Sequence, residues 1–256
     1  MGSALPNFFT GTVPGWRPGR LWQDSHGPAM IDLPPGWFTM GENPADPCAT
    51  EAERPAHEVS IYPGLAFSIA PVTLAEFRHF RPGHRPDDDP ALPAVSVTWV
   101  DAAEYCAWLS LVSGRPYRLP SESEWEFACR AGSIASFAFG ETPTPLLANY
   151  QYDGNGSGPL PRGRTPVGAY PVNDFGLHDL HGNVWEWVAD VWHPSYDGAP
   201  AEGSVWNGPG DLRVLRGGAW DSLPRMLRCS HRDCLPRHSS RENLGFRISV
   251  TLEVPE

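Results

Sequence analysis

A carboxylate held between two indoles constrains this chain more than any other feature of its sequence. In the stretch Gly176 to Trp192, Glu186 stands between Trp185 and Trp187, in a Val/Trp-rich run that follows the polar corner His181, Gly182, Asn183. Such a run reads as a strand buried on at least one face and entered through a Gly-Asn turn. An unpaired carboxylate in that setting costs several kcal/mol, so Glu186 requires either an arginine or a metal ion.

With 256 residues, 41% of them hydrophobic, and 11 Trp and 11 Phe, the chain has core material for one large domain or two small ones. Its 26 Gly and 29 Pro stay below a disorder-type composition and instead predict a turn-rich fold with long ordered loops. A net charge of −11 opposes phosphate backbones and anionic lipid, and no basic stripe is visible, so neither a nucleic acid nor a membrane is expected as partner. Every basic residue is arginine, which excludes a Schiff-base lysine and a P-loop lysine. Met1 to Arg20 shows neither signal peptide nor membrane span, and five cysteines favour reduced thiols; both predict a cytoplasmic protein.

Residues 1–27 read as an arm on a single domain spanning 28–256. Strands are predicted over Ala29 to Leu33, Trp37 to Met40, His57 to Tyr62 and Leu65 to Ile69, with Pro-Gly turns between them. Three helices follow capping boxes: Thr73 with Glu76, Thr98 with Asp101, and Ser121 with Glu124. Ser133 to Gly168 reads as loop. The last third predicts strands over Asn183 to Trp192, Leu212 to Trp220, Leu227 to His231 and Phe246 to Leu252, the last from strict alternation. Strands at both ends with helices between them make a mixed α+β fold.

The corner at Gly182, with Arg118 to Gly132 before it and Arg216 to Trp220 and Asn243 to Arg247 after it, resembles the sulfatase-modifying-factor family, which includes the formylglycine-generating enzymes. The resemblance implies that family's irregular α+β fold, akin to C-type lectins and rich in loop. It implies structural calcium at the corner, with carbonyls of His181, Gly182 and Val184 and the carboxylate of Glu186 as ligands. Pairing of Glu186 with an arginine such as Arg216 is the competing reading. A second calcium site of the family maps only onto Asn149 and Tyr150.

In the family's copper enzymes, two cysteines spaced C-x4-C follow the double glycine, because copper(I) takes soft thiolates. Here Asp221 to Arg225 contains no cysteine. Cys229 and Cys234 have the spacing but lie further along the chain, where packing is the competing reading. His178, His181 and Glu186 resemble a two-histidine, one-carboxylate iron set. Trp185, Trp220, Arg228 and Arg232 are the groove candidates, with Gly217 and Gly218 allowing close approach; mutual ion pairing is the alternative for the arginines. The resemblance implies a metal- and O2-dependent oxidoreductase acting on a peptide or small metabolite, though not a typical copper formylglycine synthase. The alternative is a non-catalytic module binding a peptide or protein partner.

Overall fold

The computed structural model describes residues 19–42, 46–152 and 163–252. The first sheet holds β1 (Leu21–Gln23), β2 (Ala29–Leu33), β5 (Leu65–Ser68) and β10 (Ser249–Thr251) in that spatial order, all antiparallel. Between β2 and β5, β3 (Gly36–Met40) and β4 (His57–Ile61) form a separate two-stranded ribbon. Residues 1–18 of the expected arm lie outside the described residues. Its remainder is not an arm, since β1 pairs with β2 and belongs to the sheet.

The three helices form where local chemistry places them. α1 (Leu74–Phe80), α2 (Trp99–Ser113) and α3 (Glu122–Arg130) each begin at a reciprocal capping box, at Thr73, Thr98 and Ser121. Each N-cap oxygen takes the third residue's N–H while that residue's carboxylate returns to the cap, satisfying donors the helix cannot satisfy itself. α2 ends at Gly114 with φ of 75°, and α3 ends through Ala131 and Gly132, both left-handed.

The second large sheet has the order β8 (Asp233–Pro236), β7 (Leu212–Arg216), β6 (Trp185–Val191), β9 (Leu244–Phe246), with β9 parallel to β6. Along β6, Trp185 and Trp187 enter one apolar core with Phe77, Tyr105 and Phe246, while Val188 enters another with Phe67, Trp125 and Phe127. Alternation across the strand therefore separates two cores, and Glu186 faces the side of Trp125.

Two strand expectations are corrected. Leu227 to His231 is not a strand: Pro224–Leu227 forms a 3-10 turn and pairing begins at Asp233. Phe246 to Leu252 is not continuous either. β9 pairs with β6 and β10 with β5, so the chain changes sheets at Arg247 and Ile248. The apolar alternation of the sequence does not become an alternation of burial, since Leu244 to Val250 are all buried. Among the described residues no helix is long and apolar enough to cross a membrane.

Ser121 carries two duties, accepting from Glu124 N–H at 3.1 Å and donating to the Gly203 carbonyl at 2.7 Å. Ser121→Ala is expected to lower unfolding free energy by about 1–2 kcal/mol in urea titrations; an unchanged midpoint would show that the cap contributes nothing here.

Candidate functional site

The corner ahead of β6 is fixed by backbone before any side chain acts. Gly182 has φ of 90°, and a Cβ there would lie 2.2 Å from the Asn149 carbonyl oxygen, so only glycine fits. Asn183, itself at φ of 65°, donates its N–H to the same carbonyl at 2.9 Å and clamps the backbone of Thr165 with both ends of its amide. The two stretches that the family resemblance assigned to calcium thus lie side by side, joined by an Asn149 to Gly182 bridge.

Glu186 emerges from this corner fully buried. Arg247 grips it with both arms of its guanidinium, Nε to Oε2 at 2.6 Å and Nη2 to Oε1 at 2.7 Å, and Trp125 Nε1 donates to Oε2 at 2.6 Å. Remaining Arg247 donors reach the carbonyls of Ser68 and His178. The arginine reading therefore holds, with Arg247 rather than Arg216 as partner. Both carboxylate oxygens are in use and the charge is neutralised, so Glu186 does not fit as a calcium ligand. The Gly182 carbonyl is likewise taken, by Val184 N–H at 2.9 Å. Tyr150 spends its hydroxyl on the Pro143 carbonyl. Asn149 Oδ1, buried without a partner, is the feature of this corner that fits a cation.

Among the described residues the arginines of the expected groove are spent on buried carboxylates. Arg216 is fully buried and pairs with Glu126 at 2.5 Å and Glu122 at 3.5 Å. Arg232 clasps Glu122 through Nε and Nη2 at 2.7 and 2.8 Å, and Arg228 clasps Glu53 at 2.6 and 2.7 Å. Burial pushes Glu53 up, but the hydrogen bonds and charge of Arg228 overcome it and hold Glu53 at about 2. That stabilisation is present above the ordinary carboxylate pKa and is lost as pH falls towards 2. Trp185 is buried, and Trp220 is only half-buried. Arg228 and Arg232 thus brace the domain through buried ion pairs.

Two cavities flank the corner. The larger, about 670 Å³, opens between the Asp46 to Cys48 segment, the Ser136 to Pro143 loop and Leu223, Pro224, Arg225. Arg228 reaches its wall, but its charge is committed to Glu53. The smaller, about 170 Å³, is lined by Phe139, Tyr170, Asn173, Asp179 and His181. Asp179 is buried with Oδ1 unpartnered, and burial raises its pKa.

Between the cavities lies a cluster that sequence reasoning did not assemble. Cys129 on α3, His181 and Cys229 have ligand atoms within 4.8 Å of one another, all buried. Cys129 Sγ is 3.6 Å from Cys229 Sγ and 3.6 Å from His181 Nε2. His181 Nδ1 lies 2.7 Å from the Leu227 carbonyl, which assigns the proton to Nδ1. Burial drives the Cys129 thiol up, whereas Cys229 is held well below its usual value against the same burial by the adjoining Cys129 thiol and by the nearby His181 and Arg130. Cys229 therefore pairs with Cys129, not Cys234, which lies in β8 outside the cluster. The iron set is not assembled either: among the described residues His178 and Glu186 do not join His181 in a cluster of ligand atoms, and both oxygens of Glu186 are engaged by Arg247. Cys129 and Cys229 are a hundred residues apart, and no local spacing announces such a pair.

Comparison with known proteins places these features in context. The model of the "Sulfatase-modifying factor enzyme 1-like domain" matches residues 20–252. Inactive C-alpha-formylglycine-generating enzyme 2 of Mus musculus is 30% identical, over 90% of this chain and 88% of that protein. Formylglycine-generating enzyme of Bos taurus is also 30% identical, over 94% and 78% respectively. Among solved structures, PvdO from Pseudomonas aeruginosa superposes with a TM-score of 0.85 at 33% identity, covering 93% of this chain and all of that one.

Arg232→Ala leaves Glu122 buried with the longer contact to Arg216 and the Tyr196 hydroxyl at 3.2 Å, and is expected to cost about 3 kcal/mol in urea unfolding. An unchanged midpoint together with lost ligand binding would return Arg232 to a binding role.

Proposed function

The chain belongs to the sulfatase-modifying factor enzyme 1-like family, and from that premise we propose that it binds a peptide or small molecule in the larger cleft without making formylglycine by copper chemistry. The carrying observation is the stretch Asp221 to Arg225. It stands where the family's copper cysteines are expected, offers no thiol, and contributes Leu223, Pro224 and Arg225 to the cleft wall. Without soft thiolates, copper(I) has no ligands there. The residues of this stretch do not fit that ion.

The cleft suits recognition by size and by charge. At about 670 Å³ it lies within the range of ligand sites. Arg225 is exposed and forms no ion pair among the described residues, unlike the buried arginines nearby. The lining also holds Glu141 and Asp46, the latter paired with Arg228; the exposed guanidinium of Arg225 beside them offers a charge partner to a carboxylate-bearing ligand, such as an acidic side chain or chain end of a peptide or protein partner. Family membership alone leaves catalysis open, since one relative is named as an enzyme and another as inactive.

One observation favours a second reading, a metal- and O2-dependent oxidoreductase: the soft-ligand cluster of Cys129, His181 and Cys229, whose histidine walls the smaller cavity. A structural calcium ion would be held by Asn149 Oδ1 rather than by Glu186. In that case a calcium-dependent rise in Tm disappears in Asn149→Ala and persists in Glu186→Gln.

A sulfatase-type cysteine peptide incubated with the protein, copper(I) and O2 is expected to be recovered at unchanged mass. Appearance of the aldehyde product would contradict the reading. Fluorescent peptides ending in a free carboxylate should bind, and Arg225→Ala should weaken them roughly tenfold or more, the effect of losing about 1.4 kcal/mol. Equal binding by amidated peptides, or by Arg225→Ala, would remove Arg225 from the site.

A further inference from the structure

We propose that Cys129, His181 and Cys229 bind one Zn2+ ion, held by two thiolates and the Nε2 atom of an imidazole. The inference concerns the occupant of the cluster, and it stands whether or not the chain is an oxidoreductase and whatever fills the larger cleft.

Distance is the first argument. Zn–S bonds of about 2.3 Å and Zn–N bonds of about 2.0–2.1 Å at tetrahedral angles put ligand atoms roughly 3.5–3.8 Å apart. The sulfurs here are separated by 3.6 Å and Cys129 Sγ is 3.6 Å from Nε2. No carboxylate belongs to the set, so calcium and magnesium are unsuited, and a mixed sulfur and imidazole set selects a softer ion.

Orientation is the second. A metal-binding imidazole usually donates its other ring N–H to a carbonyl or carboxylate, which fixes the ring and makes the bonding nitrogen more basic. His181 does this through Nδ1 and the Leu227 carbonyl at 2.7 Å. Phe137 and Phe139 present their rings edgewise to it, at 5.7 and 4.9 Å between centroids. Cys229 is held by its own N–H on the Ser136 carbonyl at 2.8 Å, and Cys129 by the last turn of α3.

Charge is the third. Two thiolates and Zn2+ make a neutral set, and the nearby cations need no further partner: Arg130 pairs with Glu126, and Arg216 with Glu126 and Glu122. A neutral set adds no charge to a site beside which two buried carboxylates, Glu122 and Glu126, already serve three arginines, Arg130, Arg216 and Arg232. Binding requires both thiols as thiolates, so it releases protons. It also requires Ala138 N–H to leave His181 Nε2, where it now donates at 3.1 Å. Ala138 belongs to the loop that walls the smaller cavity, so the shift is confined to that loop. Three protein ligands leave one coordination position for a water or a ligand.

The test uses the full chain, reduced and stripped of metal, titrated with Co2+ and then Zn2+. Thiolate-to-cobalt charge-transfer absorption should saturate at one ion per chain and be displaced by Zn2+. Cys129→Ser and Cys229→Ser should each lose this absorption, while Cys48→Ser and Cys234→Ser retain it. His181→Asn should weaken Zn2+ binding by more than the roughly 10–100-fold that loss of an outer-shell partner causes. Near-ultraviolet circular dichroism checks that each variant is folded, and the spectrum of the unsubstituted chain decides the matter even if a variant is not. Absence of thiolate-to-cobalt absorption in the reduced protein overturns the proposal, as does retention of copper(I) under conditions where Zn2+ is not bound. A Cys129 to Cys229 disulfide in the purified chain that, once reduced, still binds neither ion also overturns it.

Discussion

The fold turns on one buried ion pair. Glu186 and Arg247 are both fully inaccessible to solvent, joined by two short hydrogen bonds, with Trp125 closing the third side. Glu186 lies on β6, Trp125 on α3, and Arg247 at the point where the chain passes from the second large sheet to the first. Losing one partner of such a pair costs roughly 3–5 kcal/mol, against a total stability of roughly 5–15 kcal/mol for a domain. Any packing that fails to bring these three segments together leaves a charge stranded in an apolar interior. The pair thereby selects the fold, more than it adds to stability relative to an apolar replacement.

The same device recurs around α3. Glu122 and Glu126 face inward and receive Arg232, Arg216 and Arg130, while Glu53 receives Arg228. Arginine suits this work better than lysine because its planar fork meets a carboxylate with two bonds and has further donors for carbonyls. Arg216 uses them on the carbonyls of Cys229, Ser230 and His231. The irregular segment after β7 is thus laid down by charge pairing, since it contains little regular structure to fix it. Its placement sets Cys229 against Cys129 and sets Leu223 to Arg225 on the cleft wall.

What the sequence disclosed was what short-range chemistry decides. The three capping boxes identify the helices because cap and third residue meet within one turn, whatever the rest of the chain does. The need of Glu186 for a partner was legible from its two tryptophan neighbours; the partner was not. Arg216 is directly opposite Glu186 in the β6 and β7 register, yet its guanidinium goes to Glu126, and Arg247 arrives from a different strand pairing. Side-chain direction across a sheet is a tertiary fact. The cysteine cluster was hidden for the same reason: the C-x4-C spacing of Cys229 and Cys234 drew attention along the chain, while Cys229 packs across it against α3. The break at Arg247 was masked because Phe246, Ile248 and Val250 alternate with polar residues straight through it in the sequence, although the structure buries both sets.

The most direct measurement is a double-mutant cycle across this pair, comparing Glu186→Gln, Arg247→Met and the two combined in urea unfolding. If the pair is the interaction on which the two sheets and α3 depend, each single change destabilises strongly and the double is less damaging than their sum, with a coupling of roughly 2–3 kcal/mol. Additivity within about 0.5 kcal/mol would mean that the two residues act independently, and would contradict the account.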